Sequence, residues 1–303
     1  MSESDYERIV LTHYSRREVQ EEIARFSQCR WVAVHCETLN QQGFPVWLRY
    51  QKGAGATKAP LAIEEAEDVL RLLERHRRLK PRTFYASICV YKELTKQDSL
   101  KDLHNIVSCS PVWDIDSTQE KWKATIEVAK EIIRLLREEG LSRSVFLKWS
   151  GNGAHVHVHQ KAFSPSLLRR ISPLDVSYAV VEYVNRALRP KLAEVKLKHE
   201  ALELTVENET DVQRVFTCPL SLHRSLNCVA VCVSPASIDD FTLDWTRVSD
   251  FRHWKEWDHY EEGEGDSLAE IAYHSAGGYE MKPPPKPKAK EATHPITKWF
   301  GPE

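Results

Sequence analysis

The chain has 303 residues, 42% of them hydrophobic and 28% charged, with a formal net charge of −2. That make-up suits one large buried core or two small ones and excludes a low-complexity or fibrous chain. No apolar run approaches the roughly 20 residues of a membrane helix, so no membrane partner is expected, and any grip on nucleic acid has to come from a local basic face.

The N-terminal stretch MSESDYERIV is polar and acidic, so no secretory signal is expected and the chain is not read as secreted. Cysteines stand at 29, 36, 89, 109, 218, 228 and 232. An odd, unpatterned set points to a reducing compartment, and without a CxxC pair no structural zinc is expected. Residues 15–27 read as a helix with Val19, Ile23 and Phe26 on one face. Residues 31–36 alternate like a strand, and 62–79 read as a second helix stopped by Pro81. That helix starts with Glu64, Glu65, Glu67 and Asp68 and ends in Arg71, Arg75, Arg77, Arg78, Lys80 and Arg82, a polarity that suits the helix dipole and a solvated face.

Residues 83–91 and 109–116 read as strands. Ser117 and Glu120 resemble a capping box for a helix reaching Glu139, which buries Trp122, Ile126, Ala129, Ile133 and Leu136 and stops at Gly140. Strands follow at 145–149 and 154–159, a helix at 174–195, and strands at 200–206 and 228–233. The fold class is mixed α/β (α+β) around a central sheet. The expected organisation is a catalytic domain over 1–278, a Pro/Lys-rich linker over 279–292, and a short apolar peptide over 293–303 on a disordered tail.

Three constellations carry chemistry. Asp114 and Asp116 are two residues apart on a strand and therefore share a face. Two close carboxylates repel unless a cation sits between them, which is the need that divalent metals fill in phosphoryl transfer. The second is Ser150-Gly151-Asn152-Gly153-Ala154-His155, followed by His157 and His159. Its glycines let the backbone approach a ligand, and its N–H groups and hydroxyl suit phosphate oxygens. The third runs from Asp211-Val212-Gln213-Arg214 to Pro219-Leu220-Ser221-Leu222-His223-Arg224, whose Arg214, His223 and Arg224 suit a triphosphate or template phosphate.

In this order, the pieces resemble the archaeo-eukaryotic primase superfamily, its small catalytic subunit in particular. That family has an hDhD motif (here Trp113-Asp114-Ile115-Asp116), an SGxxGxH-like motif (Ser150 to His155) and a P-x-S-L-H stretch (Pro219 to His223). His13-Tyr14-Ser15-Arg16-Arg17-Glu18 and Phe84-Tyr85-Ala86-Ser87 also look like family segments, so the resemblance spans roughly residues 10–235.

The resemblance implies a primase fold with an RRM-like catalytic sheet and flanking helices. It implies a DNA primase/polymerase that uses two Mg²⁺ or Mn²⁺ ions to extend or start chains on a single-stranded DNA template from nucleoside triphosphates. A primase large subunit is a further candidate partner. Asp114 and Asp116 would hold the metals with a third carboxylate. Glu203, in Glu203-Leu204-Thr205-Val206, best mimics the family's D-x-x-V, with Glu207 the alternative. Ser150, Asn152 and His155 would contact the nucleotide, and Arg214, His223 and Arg224 its triphosphate. The expected location is the cytoplasm of a prokaryote, an archaeon first, or a eukaryotic nucleus.

Thr293, Ile296, Trp299 and Phe300 have the spacing of a peptide that docks on the sliding clamp, tethered by the linker. Two rival functions stand beside the primase reading. His155-Val156-His157 and His157-Val158-His159 fit the HUH pattern of a nicking endonuclease, with Tyr178 or Tyr183 as nucleophile. A catalytically inactive nucleic-acid-binding member of the fold is the other.

Overall fold

The computed structural model describes residues 6–53 and 57–280. The peptide expected to dock on a clamp, with Thr293, Ile296, Trp299 and Phe300, lies outside the described residues, as does the linker from 281 onward.

After short helical turns over Glu7–Leu11 and Thr12–Tyr14, helix α1 (Arg17–Ser27) buries Val19, Ile23 and Phe26 as their spacing predicts. Strand β1 (Arg30–Leu39) pairs antiparallel with β2 (Pro45–Leu48) on one side and β5 (Pro81–Tyr91) on the other. Between β2 and β5 come a hairpin of β3 (Tyr50–Lys52) with β4 (Lys58–Pro60) and helix α2 (Glu67–Arg75). This helix is shorter than the expected 62–79. The backbone of Leu61 bonds in strand fashion to Val32 and Arg49, and the Asp68 carboxylate accepts the N–H groups of Glu64 and Glu65. After Arg75 a 3₁₀ turn ends at Lys80 with φ 52, and Pro81 opens β5 instead of merely stopping a helix.

The strand expected over 109–116 is two strands, β6 (Ile106–Cys109) and β7 (Val112–Asp116). Between them Pro111, which has no N–H to give a ladder, carries the chain from one sheet to the next. The first sheet holds β2, β1 and β5 in that order, with β11 (Val215–Thr217) and β6 both paired to β5.

The second sheet holds the site. It is built as β7, α3 (Trp122–Glu138), β8 (Val145–Trp149), β9 (Ala154–Val158), α4 (Pro173–Lys198) and β10 (Thr205–Asn208), extended by β12 (Val231–Val233). The spatial order is β10-β7-β9-β8-β12, all antiparallel. A β-α-β-β-α-β chain whose fourth strand lies beside the first is the ferredoxin-like, RRM-type arrangement. Strand alternation turns Trp113 and Ile115 into the core with α3 and α4, where both are fully buried. Burying each contributes about 1.5–3 kcal/mol. Asp114 and Asp116 are thereby left on the opposite face.

The expected capping box on Ser117 does not form. A 3₁₀ turn, Gln119–Lys121, precedes α3, and the buried Ser117 hydroxyl has no partner. Helix α4 runs past the expected 195 to Lys198 and closes through Glu200 at φ 51, so β10 starts at Thr205 and not at 200. A last helix, α5 (Asp266–Ala276), packs on α4. Near the end of the described residues, the Tyr279 hydroxyl donates to Asp211 at 2.7 Å, and its N–H to Asp175.

Candidate active site

Residues directly opposite in an antiparallel pair share a face. The registers Cys232↔Lys148, Lys148↔His155, His155↔Asp114 and Asp114↔Glu207 therefore set one row of side chains across all five strands of the second sheet. Asp116 stands on the same face, at the exposed end of β7.

A cavity of about 470 Å³ opens over the Asp114 and His155 part of this row. Every catalytic and nucleotide-binding residue picked from the sequence lines it except Glu203: Asp114, Asp116, Ser150, Asn152, His155, Arg214, His223 and Arg224. Glu203 sits exposed in the turn before β10, outside the ladder. The late start of β10 puts Thr205 opposite Asp116 and Glu207 opposite Asp114. The third carboxylate on this face is thus Glu207, the alternative in the sequence.

The turn over 150–153 is held by close approach. Ser150 N–H and hydroxyl both donate to the Gly153 carbonyl, at 3.0 and 3.1 Å. A Cβ on Gly153 would lie 2.2 Å from the Ile115 carbonyl oxygen, and one on Gly151, at φ 132, would lie 2.5 Å from the His223 ring. The two glycines let the turn wedge between the end of β7 and His223. The segment before His223 is anchored from the N-terminal region. Buried His13 bonds through Nε2 to the Leu220 carbonyl at 2.8 Å, and the Leu222 N–H donates to the Tyr14 hydroxyl at 3.0 Å.

The charges are unevenly satisfied. Arg214 donates to Asp114 at 2.6 Å and pairs with Glu209 at 2.9 Å, and its guanidinium lies over the Phe216 ring. His155 Nε2 stands 3.3 Å from the other Asp114 oxygen, with its ring edge-on to Phe216 at 4.7 Å. Burial would push the Asp114 carboxyl up, but His155 and Arg214 more than offset it and hold it below the usual carboxylate range. Asp116 moves the other way, raised by burial and by the neighbouring Asp114 charge. Glu207 is raised by its hydrogen bond to Glu209, then by burial and by the Glu209, Asp116 and Asp114 charges.

A set of carboxylates that repel one another, with one guanidinium as counter-charge, fits a divalent cation. Among the described residues, however, no three ligating side chains yet converge on a single point. In this arrangement Arg214 takes the place of a cation on Asp114.

The other two histidines of the motif are used elsewhere. His157 stacks on Phe146 at 4.7 Å, and burial lowers its pKa well below the ordinary value. His159 bonds to Asp258 at 2.9 Å and stacks on Tyr260. Tyr183 donates to Glu139, and Tyr178 lies against Tyr279; neither of these two tyrosines, the nucleophiles of the nickase reading, lines the cavity with His155.

Lys148 is the residue that sequence reasoning missed. It is fully buried, its Nζ has no hydrogen-bond partner, and it sits 4.3 Å from the Phe26 ring centre. Burial pushes its pKa down to about 8. The signal was a lone lysine inside the apolar strand Val-Phe-Leu-Lys-Trp. Tyr85 and Phe216 also line the cavity unforeseen as site residues.

The polymerase domain of Ligase D from Mycobacterium tuberculosis, solved in complex with DNA, matches this structure with a TM-score of 0.51. The match covers 89% of this chain and 88% of that one at 15% sequence identity. No protein-family model and no curated protein sequence matches the chain. The likeness shows that this chain shares the fold of that polymerase domain.

Proposed function

We propose that this protein is a template-dependent nucleotidyltransferase, a DNA primase/polymerase that joins nucleotides on single-stranded DNA. The observation that carries the reading is Asp114 and Asp116 meeting Arg214, His223 and Arg224 around one cavity, with Glu207 opposite Asp114 on the same sheet face. Anion-holding and cation-holding groups face each other there across a space of about 470 Å³. The DNA held by the Mycobacterium domain supports the choice of polynucleotide as substrate.

The chain's own residues suit the task. His223 Nδ1 accepts the N–H groups of Ser225 and Leu226, so its proton sits on Nε2 and is free to donate. Burial, then Arg224 and Arg82, lower its pKa to about 4, which keeps the ring neutral at neutral pH. With Arg224 and the 150–153 turn it would bind the triphosphate oxygens. His155 orients Asp114 through its Nε2, and Lys148 supplies positive charge behind His155. Asp114, Asp116 and Glu207 would hold Mg²⁺ or Mn²⁺, which when bound supplies Lewis acidity toward a phosphoryl oxygen and an activated hydroxyl.

The test is synthesis from labelled nucleotides on single-stranded DNA with Mg²⁺ or Mn²⁺, with and without an annealed primer. Wild type should yield products and the Asp114→Ala/Asp116→Ala variant none. Equal products from both would overturn the assignment of the carboxylates, and no product from wild type under either metal would overturn the activity.

A further inference from the structure

A second and larger cavity, about 1110 Å³, lies beside the first on the surface formed by β2, β3, β4 and α2. Nothing in the proposed chemistry uses it. Its walls combine aromatic rings with exposed cations: Trp47, Arg49, Tyr50, Lys52, Lys58 and Arg75. Among the described residues no carboxylate lies within ion-pair distance of Arg49, Lys52, Lys58 or Arg75. Of the two acids on the wall, Glu64 is exposed and Asp68 is engaged. Asp68 accepts two backbone N–H groups and pairs with Arg71, which also faces Glu65.

The groove borders the catalytic cavity through one ring contact. Trp47 stands on β2 opposite His35 of β1, and its ring centre lies 5.4 Å from that of Tyr85, which lines the catalytic cavity. On the outer side Tyr50 leans on Trp31 at 6.2 Å, and the Arg49 guanidinium covers Trp47. Trp47 and Tyr50 thus both line the groove, with Tyr85 against Trp47 at its inner end and cations along its border. Bases unpaired from a partner strand stack on such rings while their phosphates follow the basic border. Duplex DNA hides its base faces and has no use for the rings.

We propose that this groove holds the single-stranded polynucleotide on its way into the catalytic cavity, with bases against Trp47 and Tyr50 and phosphates on Lys52, Lys58 and Arg75. The inference rests on the nucleotidyltransferase reading for its direction of travel, but its binding test does not require turnover.

The test is fluorescence anisotropy of labelled 12-nucleotide oligo(dT) and oligo(U) over a salt series, with no nucleotide present, on the full chain. Trp47→Ala/Tyr50→Ala should weaken binding roughly tenfold or more, the scale of lost base stacking. Lys52→Gln/Lys58→Gln/Arg75→Gln, all at exposed positions, should flatten the salt dependence by about 2 in log–log slope, the release expected for three phosphates on a single strand. Photo-crosslinking of 4-thiothymidine oligonucleotides to Trp47 or Tyr50, read by mass spectrometry, gives a second readout that does not depend on a variant folding. Binding of oligo(dT) or of oligo(U) lost in this pattern supports the groove and distinguishes DNA from RNA as its occupant. Unchanged affinity in both variants with crosslinks elsewhere overturns the groove, even when wild type incorporates nucleotides. A wild type that binds through the groove yet makes no product leaves the groove standing and overturns the activity instead.

Discussion

Glu207 on β10 stands directly opposite Asp114 on β7, on the sheet face that also carries Asp116 and His155. Its raised pKa reports the same crowding: the bond to Glu209 comes first, then burial and the neighbouring carboxylate charges. Glu207→Gln should reduce nucleotide incorporation at least roughly a hundredfold, the scale of losing one electrostatic contact at a reacting centre. Glu203→Gln, on the exposed turn, should stay within about twofold, since it removes no charge from that face. Steady-state incorporation on a primed template separates the two.

The Gly153 contact makes a stability prediction. Adding a Cβ 2.2 Å from a backbone carbonyl leaves nothing flexible to move aside. Gly153→Ala should destabilise the fold by about 1–3 kcal/mol, as overpacking does. The measurement is the urea midpoint at unchanged slope. Gly140→Ala is the useful comparison: Gly140, unlike Gly153, has positive φ, and nothing lies within 4 Å of its Cβ, so it carries backbone strain alone.

Lys148 should show opposed effects on stability and activity. A fully buried cation without a hydrogen-bond partner is unfavourable to hold, and replacing such a charge by an apolar group of similar length is neutral or stabilising. Lys148→Met is expected to raise or preserve the melting temperature. The same variant should raise the KM for nucleoside triphosphate, because positive charge behind His155 is gone. A fall in both stability and affinity would mean that Lys148 is simply part of the packing.

His13 links stability to pH. Burial lowers its pKa from 6.5 to about 4 in the folded protein, while its Nε2 bonds to the Leu220 carbonyl. Above pH 6.5 the ring is neutral in both states and contributes no pH dependence. Between 6.5 and 4 the unfolded chain binds a proton that the folded chain refuses, so stability falls as pH falls, and the loss levels off below 4. The gap between those values is worth about 3 kcal/mol. Urea unfolding at pH 7 and pH 4 should show His13→Gln losing less stability than wild type by roughly that amount.

Much of the site was legible because two periods are local properties of a chain. Alternation in Val-Trp-Asp-Ile-Asp is enough to put Asp114 and Asp116 on one face and Trp113 and Ile115 on the other. The Ser-Gly-Asn-Gly turn declared itself by its glycines, though the contacts that require them, the Ile115 carbonyl and the His223 ring, are remote in sequence. The three histidines looked equivalent from alternation alone. Packing divides them: His155 goes to the cavity, His157 to Phe146 and His159 to Asp258.

The sequence by itself determined the mixed fold class, the paired aspartates and most residues that meet around the candidate active-site cavity, since local spacing decides which side chains share a strand face. Tertiary structure decided which glutamate joins them. That choice depends on the register between β10 and β7, set by where α4 closes at Glu200, and hydrogen-bond register across strands leaves no trace in either strand's own pattern. It also decided that Trp47 of β2 and Arg75 beyond α2's apolar face border one groove, because only the folded sheet brings segments with separate local patterns to a common surface.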